Sequence, residues 1–152
     1  MASNRIIFSN ALLIFAGIAG YFLVMKIFGL EDVAELRFLN FAFVLYGINR
    51  AIKTNIIRNH ESVVYFSNFL LGIGTSIVAV ALTIVSLIIY VDFIDPSFMN
   101  VLEKSSFWGQ KLSLPLVVFA LAIEGIASSV ICSFILMQYY KNYKVPNNSM
   151  II

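Results

Sequence analysis

The sequence predicts an all-α fold: an integral membrane bundle of four transmembrane helices, with a short interfacial segment between helices 3 and 4. Two observations predict this class. Of the 152 residues, 61% are hydrophobic and 12% are charged, whereas a soluble domain has about 45–50% apolar and about 25% charged residues. In addition, four apolar segments approach the roughly 20 residues that a helix needs to cross the hydrocarbon core. We therefore interpret residues 1–152 as a single membrane domain.

The first two predicted helices differ in how apolar they are. Segment one covers about residues 6–28. Its apolar run is longer than the roughly 7–15 residues of a signal-peptide core, so we expect a retained helix. Segment two covers about residues 36–52 and is the weakest, because polar and charged residues lie near both of its ends. A re-entrant or tilted segment is the alternative to a full span there.

Segments three and four are more apolar. Segment three covers about residues 64–91, and no charged residue lies between Glu61 and Asp92. It exceeds the bilayer core, so we expect it to tilt or to extend beyond the membrane. Segment four covers about residues 114–140. Long continuous apolar runs indicate helices rather than barrel strands, because a helix satisfies its own backbone polar groups in lipid.

The connection between segments three and four mixes aromatic and charged residues. Pro96 suits the first turn of a short helix, and Phe98 and Trp108 alternate with charged residues beyond it. This mixture favours an interfacial helix lying on the membrane, and the alternative is an ordinary loop with aromatic anchors. The tail, residues 145–152, is rich in Asn and contains a Pro, and we expect it to be mobile.

The charge distribution predicts the orientation. Four spans place both termini and the middle connection on one side, which then holds six basic residues and one acidic residue. The other side holds four basic and six acidic residues. Because an excess of Lys and Arg in short loops marks the cytoplasmic side, we expect a multi-pass protein of the cell (inner) membrane with cytoplasmic N- and C-termini. The same count favours segment two as a true span.

Glu124 is the candidate functional residue, because it lies near the middle of segment four. An acid at that depth is costly and usually faces a bundle interior or a watery cavity. One hypothesis is an intramembrane proton or cation site formed by Glu124, Ser128, Thr83 and Ser86, with Thr75 and Ser76 as further candidate partners. The alternative is a protonated or hydrogen-bonded Glu124 that holds helices together.

Small residues recur at helical spacing in segments three and four and predict close helix packing. Ala16 and Gly20 in segment one have the same spacing. The small residues serve packing within the chain or self-association of copies. The predicted helix-packing residues of segments three and four are Gly125, Ser129, Ser133, Gly72 and Ser76.

The middle connection is basic. Arg50, Lys53 and Arg58 are expected either to attract anionic lipid headgroups or to act only as the orientation signal. These few charges do not indicate a nucleic-acid site. The expected partners are the lipid bilayer and either a second copy of the chain or a larger membrane complex.

No catalytic constellation is visible in the sequence. Cys132 is the only cysteine and His60 the only histidine, so no Cys/His cluster offers a metal site or a nucleophile pair. Glycine-rich phosphate loops and nucleophile-elbow patterns are missing as well. The sequence therefore predicts no catalytic residues, no metal and no cofactor, and it favours a non-enzymatic protein. A membrane enzyme acting on lipid has the least support.

The chain resembles small four-helix bacterial inner-membrane proteins of unknown function. The residues that carry the resemblance are Gly47-Ile48 followed by Ala51-Ile52-Lys53, the long segment three ending at Tyr90, Pro96-x-Phe98, the small residues of segment four, and Lys141. The resemblance implies an architecture and an envelope location, but no mechanism. The expected function is a structural or accessory role, and the alternative is a subunit of a small channel or transporter that uses Glu124.

Overall fold

The computed structural model describes residues 2–30, 34–59, 65–104 and 113–141, and within them the chain is helical and contains no strand. The helices are α1 (Ala2–Ile27), α2 (Asn40–Asn59), α3 (Tyr65–Ile89), α4 (Phe98–Lys104) and α5 (Leu114–Tyr140). A 3-10 helix, Ala34–Leu39, leads into α2, and a π-helix, Tyr90–Ile94, continues α3. The prediction of an all-α chain is confirmed.

Three of these helices are long and apolar enough to cross a membrane: Asn4–Ile27, Tyr65–Ile94 and Leu114–Tyr140. They correspond to segments one, three and four. Segment four begins and ends at the predicted residues, Leu114 and Tyr140. Pro115 accounts for the start, because a proline fits the first turn of a helix without loss of a backbone hydrogen bond. Segment three runs on past residue 91, in agreement with its excess length.

Helix α2 is not among the three. It extends to Asn59 rather than 52, and this second half carries Arg50, Lys53 and Arg58, so no long apolar window remains. The fourth span therefore lacks support from hydropathy and stays a prediction. The predicted short helix between segments three and four corresponds in part to α4, which begins two residues after Pro96. The tail 145–152 lies outside the described residues.

Helices α1 and α3 run parallel to each other. Ile6 packs in one cluster with Leu71, Ile14 packs in the next with Ala79, and Phe22 packs farther along with Leu87. Residue numbers therefore rise together along both helices, with a constant offset.

Helices α2 and α5 run opposite to α1 and α3. On α2, the Phe43 ring lies against Gly17 of α1 and Gly47 lies against Ile14, so numbers rise on one helix as they fall on the other. Val117 of α5 packs with Val91, and Ser133 of α5 lies against Gly72 of α3. Helix α2 packs against α1, α3 and α5, which places it beside all three long apolar helices.

Because consecutive long helices run in opposite directions, most charged residues lie at one or the other end of the bundle. We call one end the basic end; its charged residues are all exposed and are Arg5, Arg50, Lys53, Arg58 and Lys141. No acidic side chain lies at this end within the described residues, since Glu61 is outside them. We call the other the Asp95 end; it carries Lys26, Asp92 and Asp95.

Candidate functional site

Helix α5 has a buried face and an exposed face. From Ser129 to Tyr140 the buried side chains recur at the three- and four-residue spacing of one side of a helix that packs on neighbours. The buried side chains of α5 are Val117, Ser129, Cys132, Ser133, Leu136, Met137 and Tyr140. The exposed face is almost wholly apolar and includes Ile123, Ile126, Val130, Ile131, Phe134 and Ile135. Such a face suits contact with lipid or with another membrane helix.

Glu124 lies on the exposed face of α5. At 1.5 Å per residue it is about 15 Å along the helix axis from Leu114 and about 24 Å from Tyr140. This position falls well inside a helix that is long enough to span the hydrocarbon core. The neighbours of Glu124 one turn away include the small residues Ala120, Ala127 and Ser128.

The structure does not bring the predicted polar site together. The Thr83 hydroxyl donates to the carbonyl of Ala79 at 2.9 Å, which is a bond within its own helix. Ser86 and Ser128 are half-buried. Within the described part of the chain, no hydrogen bond or ion pair reaches the Glu124 carboxylate. Thr75 and Ser76 likewise donate to carbonyls one turn back, at 2.8 and 3.1 Å.

The reason is the rotation of α5. Gly125 faces α3, where an added Cβ would lie 2.7 Å from Cγ2 of Val80. The preceding residue is turned about 100° around the helix axis, so Glu124 lies to one side of the α3 contact and is exposed. The sequence predicts the depth of this acid, but the contact at Gly125 decides which way it faces.

The predicted packing residues lie between α3 and α5. A Cβ added at Gly72 would lie 2.7 Å from Oγ of Ser133, so the two helices touch there. Ser76, Ser129 and Ser133 are fully buried, and the Ser129 hydroxyl donates to the Gly125 carbonyl at 2.6 Å. By contrast, Gly20 has no atom within 4 Å of an added Cβ and faces outward.

The closest glycine contact is at Gly47, which is not among the predicted helix-packing residues. A Cβ added at Gly47 would lie 2.6 Å from Cδ1 of Ile14 and closer still to Cγ1. Ile14 is completely buried, so it has little room to move. The sequence does carry a spacing signal here, because Gly47 and Ala51 are small residues four positions apart. Ala51 is buried in one cluster with Ile6 of α1.

At the basic end, polar side chains join α2 to α3 and α5. Asn55 donates from Nδ2 to Oδ1 of Asn68 at 2.8 Å, and the Tyr140 hydroxyl donates to Oδ1 of Asn49 at 2.6 Å. These pairs satisfy polar groups on a helix that packs among apolar neighbours. The three basic residues predicted to meet headgroups, Arg50, Lys53 and Arg58, are exposed at this end.

An open groove of about 350 Å³ lies between α2 and α5 at the basic end. The part of its lining that lies toward the middle of the helices is apolar, and the part nearer the basic end is polar. The lining residues are Leu45, Asn49, Lys53, Leu136, Tyr139 and Tyr140.

At the Asp95 end, an ion pair joins α1 to the segment after α3. Lys26 Nζ lies 2.9 Å from Oδ2 of Asp95 and also donates to the Tyr90 hydroxyl. The Ser97 hydroxyl donates to the other carboxylate oxygen of Asp95. The hydrogen bond from Ser97, followed by that from Lys26, lowers the pKa of Asp95 below its ordinary value.

Three aromatic rings pack beside this ion pair. Phe22, Tyr90 and Phe98 come from α1, the π-helix and α4, and their centroids are 5.1–5.4 Å apart in edge-to-face geometry. This arrangement is favourable for aromatic rings. The sequence did not indicate the contact, because the three residues are up to 76 positions apart.

No family model, curated protein or solved structure matches the chain.

Proposed function

We propose that this chain is a non-enzymatic multi-pass membrane protein with a structural or accessory role, and that it self-associates through the α5 face that carries Glu124. One observation carries the proposal: Glu124 is exposed on an apolar face and has no partner within the described chain. An acid facing lipid near the helix centre is costly, with translocon scales giving about +2.5–3.5 kcal/mol for Asp. A neighbouring helix that offers a hydrogen bond removes part of this cost.

The residues around Glu124 support close approach by a second helix. Ala120, Ala127 and Ser128 are small, and small residues let helix backbones come together in membranes. In a two-fold dimer the same patch on both copies faces itself. Each Glu124 is then expected to lie within reach of the other copy's Ser128 hydroxyl.

The parallel course of α1 and α3 supports four spans. If both of these helices cross the membrane in the same direction, the chain must return across it between Ile27 and Tyr65. Helix α2 is the described helix in that interval and runs antiparallel to α1. Its contacts with three apolar helices offset part of its modest apolarity, because Asn49 and Asn55 pair with Tyr140 and Asn68 on those helices instead of facing lipid.

The exposed positive charges support an orientation with the basic end in the cytoplasm. The described charges there are all basic, and such an excess marks the cytoplasmic side. Both termini would then be cytoplasmic, and the protein would share the inner-membrane location of the small four-helix proteins that it resembles.

A channel or transporter subunit is the second candidate function. The exposure of Glu124 determines where its pathway would lie. An acid on the outer surface of one copy can line a pathway only between copies. A proton or cation path would therefore require the same oligomer that the first proposal requires.

Variants at Glu124 test the proposal. In nanodiscs, the wild type is expected to be oligomeric by light scattering. Glu124→Leu is expected to weaken association by about 1–2 kcal/mol, the range for a hydrogen bond between membrane helices, and Glu124→Gln should have a smaller effect. Asp92→Asn removes an exposed acid outside the apolar face and is the matched control.

Two outcomes would contradict self-association: a monomeric wild type, or an unchanged oligomer in Glu124→Leu. Flux measurements in liposomes separate the two functions. Loss of proton or cation flux in Glu124→Gln, with association intact, would favour the channel subunit over the structural role.

A further inference from the structure

The groove between α2 and α5 has a graded lining. Leu45, Asn49 and Lys53 are spaced four residues apart on α2, so they form one stripe along the helix. Leu45 lies nearest the middle of the bundle, and Lys53 lies nearest the basic end. On α5, Leu136 precedes Tyr139 in the same direction. The groove is therefore apolar toward the middle of the bundle and cationic toward the basic end.

Hydrogen bonding fixes the polar side of the groove. The Tyr140 hydroxyl donates to Oδ1 of Asn49 at 2.6 Å, which holds the amide and leaves its Nδ2–H groups able to donate. Lys53 is exposed and forms no ion pair with a described residue. Tyr139 is 75% exposed and adds a hydroxyl at the same level of α5.

We propose that this groove binds one anionic phospholipid, with its phosphate held by Lys53, Asn49 and Tyr139 and its acyl chain lying along Leu45 and Leu136. Ammonium and amide N–H groups donate to phosphate oxygens, and charge-assisted bonds of this kind are the strong ones. No described carboxylate at the basic end competes for Lys53. This inference does not depend on self-association through Glu124, which lies on another part of α5.

The apolar side of the groove decides between a lipid and a soluble anion. Leu45 and Leu136 continue the groove toward the middle of α5, a helix long and apolar enough to cross a membrane. A soluble phosphate ester has no group to place against them. A phospholipid fills both sides at once, and burial of its chain adds to binding in proportion to the apolar area covered.

Lipid titration with native mass spectrometry tests the proposal. Delipidated full-length protein is titrated with phosphatidylglycerol and, separately, with phosphatidylcholine. One phosphatidylglycerol is expected to bind more tightly than the others. Lys53→Gln is expected to weaken that first binding event about tenfold, the factor that corresponds to about 1.4 kcal/mol.

Arg58→Gln is the matched control, because it removes one exposed positive charge from the same end and the same helix but outside the groove. It is expected to leave the first binding constant within about twofold, whereas a diffuse surface attraction would make every basic residue contribute about equally. Equal losses in the two variants, or no preference for phosphatidylglycerol, would overturn the proposal.

Two further outcomes identify a different occupant. Full competition by glycerol phosphate would show that the groove takes a soluble anion, and a change in oligomer mass in Lys53→Gln without a change in lipid binding would show that a second copy covers it. Either result refutes the lipid site. Because the Glu124 variants report on self-association separately, failure of one proposal is distinguishable from failure of the other.

Discussion

Individual glycines set how closely the helices approach one another. A Cβ added at Gly17, Gly47, Gly72 or Gly125 would come closer than 3.0 Å to a side chain of a neighbouring helix. Each of these glycines meets a different residue, and the partner is fully buried in the cases of Ile14 and Ser133. Shape complementarity at single positions therefore fixes the register of the helices, as small residues do in membrane bundles.

Gly47→Ala is expected to destabilise the fold by about 1–3 kcal/mol, the usual range for overpacking, because Ile14 cannot move out of the way. The measurement is the free energy of unfolding in mixed micelles. Gly20→Ala is the control, since an added methyl group meets nothing within 4 Å. It should leave stability unchanged or raise it by up to about 1 kcal/mol through helix propensity. Equal effects of the two substitutions would contradict the packing at Gly47.

At the scale of whole helices, the sequence predicts some elements better than others. The ends of α5 follow from Pro115 and from the length of its apolar run. Helix α2 is different, because its second half is polar and its place in the bundle depends on pairs such as Asn55 with Asn68. Partners 13 residues apart, on different helices, leave no mark on local periodicity.

The orientation of Glu124 has the same explanation. Two small, polar stripes run along α5, one through Glu124 and Ser128 and the other through Gly125, Ser129 and Ser133. Helical spacing alone makes both stripes candidates for a buried face. Contacts of Gly125 with Val80 and of Ser133 with Gly72 select the second, and only the folded chain reveals that choice. The sequence thus predicts the residue and its depth, and the tertiary contacts determine its face.

The Asp95 ion pair predicts a pH dependence of stability. Because the Ser97 and Lys26 hydrogen bonds lower the pKa of Asp95 in the folded chain, the stabilisation is fully present above the ordinary carboxyl pKa of about 3.9. It is lost as the pH falls through the lower pKa of the folded state. We expect the wild type to lose stability in this acidic range and Asp95→Asn to lose less there.

The matched control for this measurement is Asp92→Asn. Asp92 is exposed at the same end and takes part in no hydrogen bond or ion pair with the described residues. Unfolding followed by circular dichroism between neutral and strongly acidic pH compares the three proteins. If Asp92→Asn reduces the loss of stability at acidic pH as much as Asp95→Asn does, the hydrogen bonds of Asp95 with Ser97 and Lys26 are not the cause of that loss.

For the whole molecule, the directions of the helices carry more information about topology than hydropathy does. The parallel pair α1 and α3 requires a return crossing between them if both span the membrane. The basic end also gathers charges from the N-terminus, from α2 and from the end of α5. Four crossings make these observations consistent with one another, whereas three crossings would place Arg5 and Arg58 on opposite sides.

Single-cysteine labelling tests this topology. In a Cys132→Ser background, Arg5→Cys and Arg58→Cys are expected to react with a membrane-impermeant maleimide from the same side, and Asp92→Cys from the other. Inside-out vesicles and intact cells provide the two sides. Reaction of the Arg5 and Arg58 positions from opposite sides would show that α2 does not cross.

The position of α2 also has a consequence for biogenesis. Helix α2 leaves the ribosome before α3 and α5, yet two of the surfaces that cover it belong to those later helices. Its basic second half disfavours insertion as an isolated segment, because Lys and Arg are costly to move into the hydrocarbon core. If α2 crosses the membrane, its insertion is therefore completed after α3 has been synthesised, and a nascent chain that stops at Asn59 is expected to hold α2 at the membrane surface.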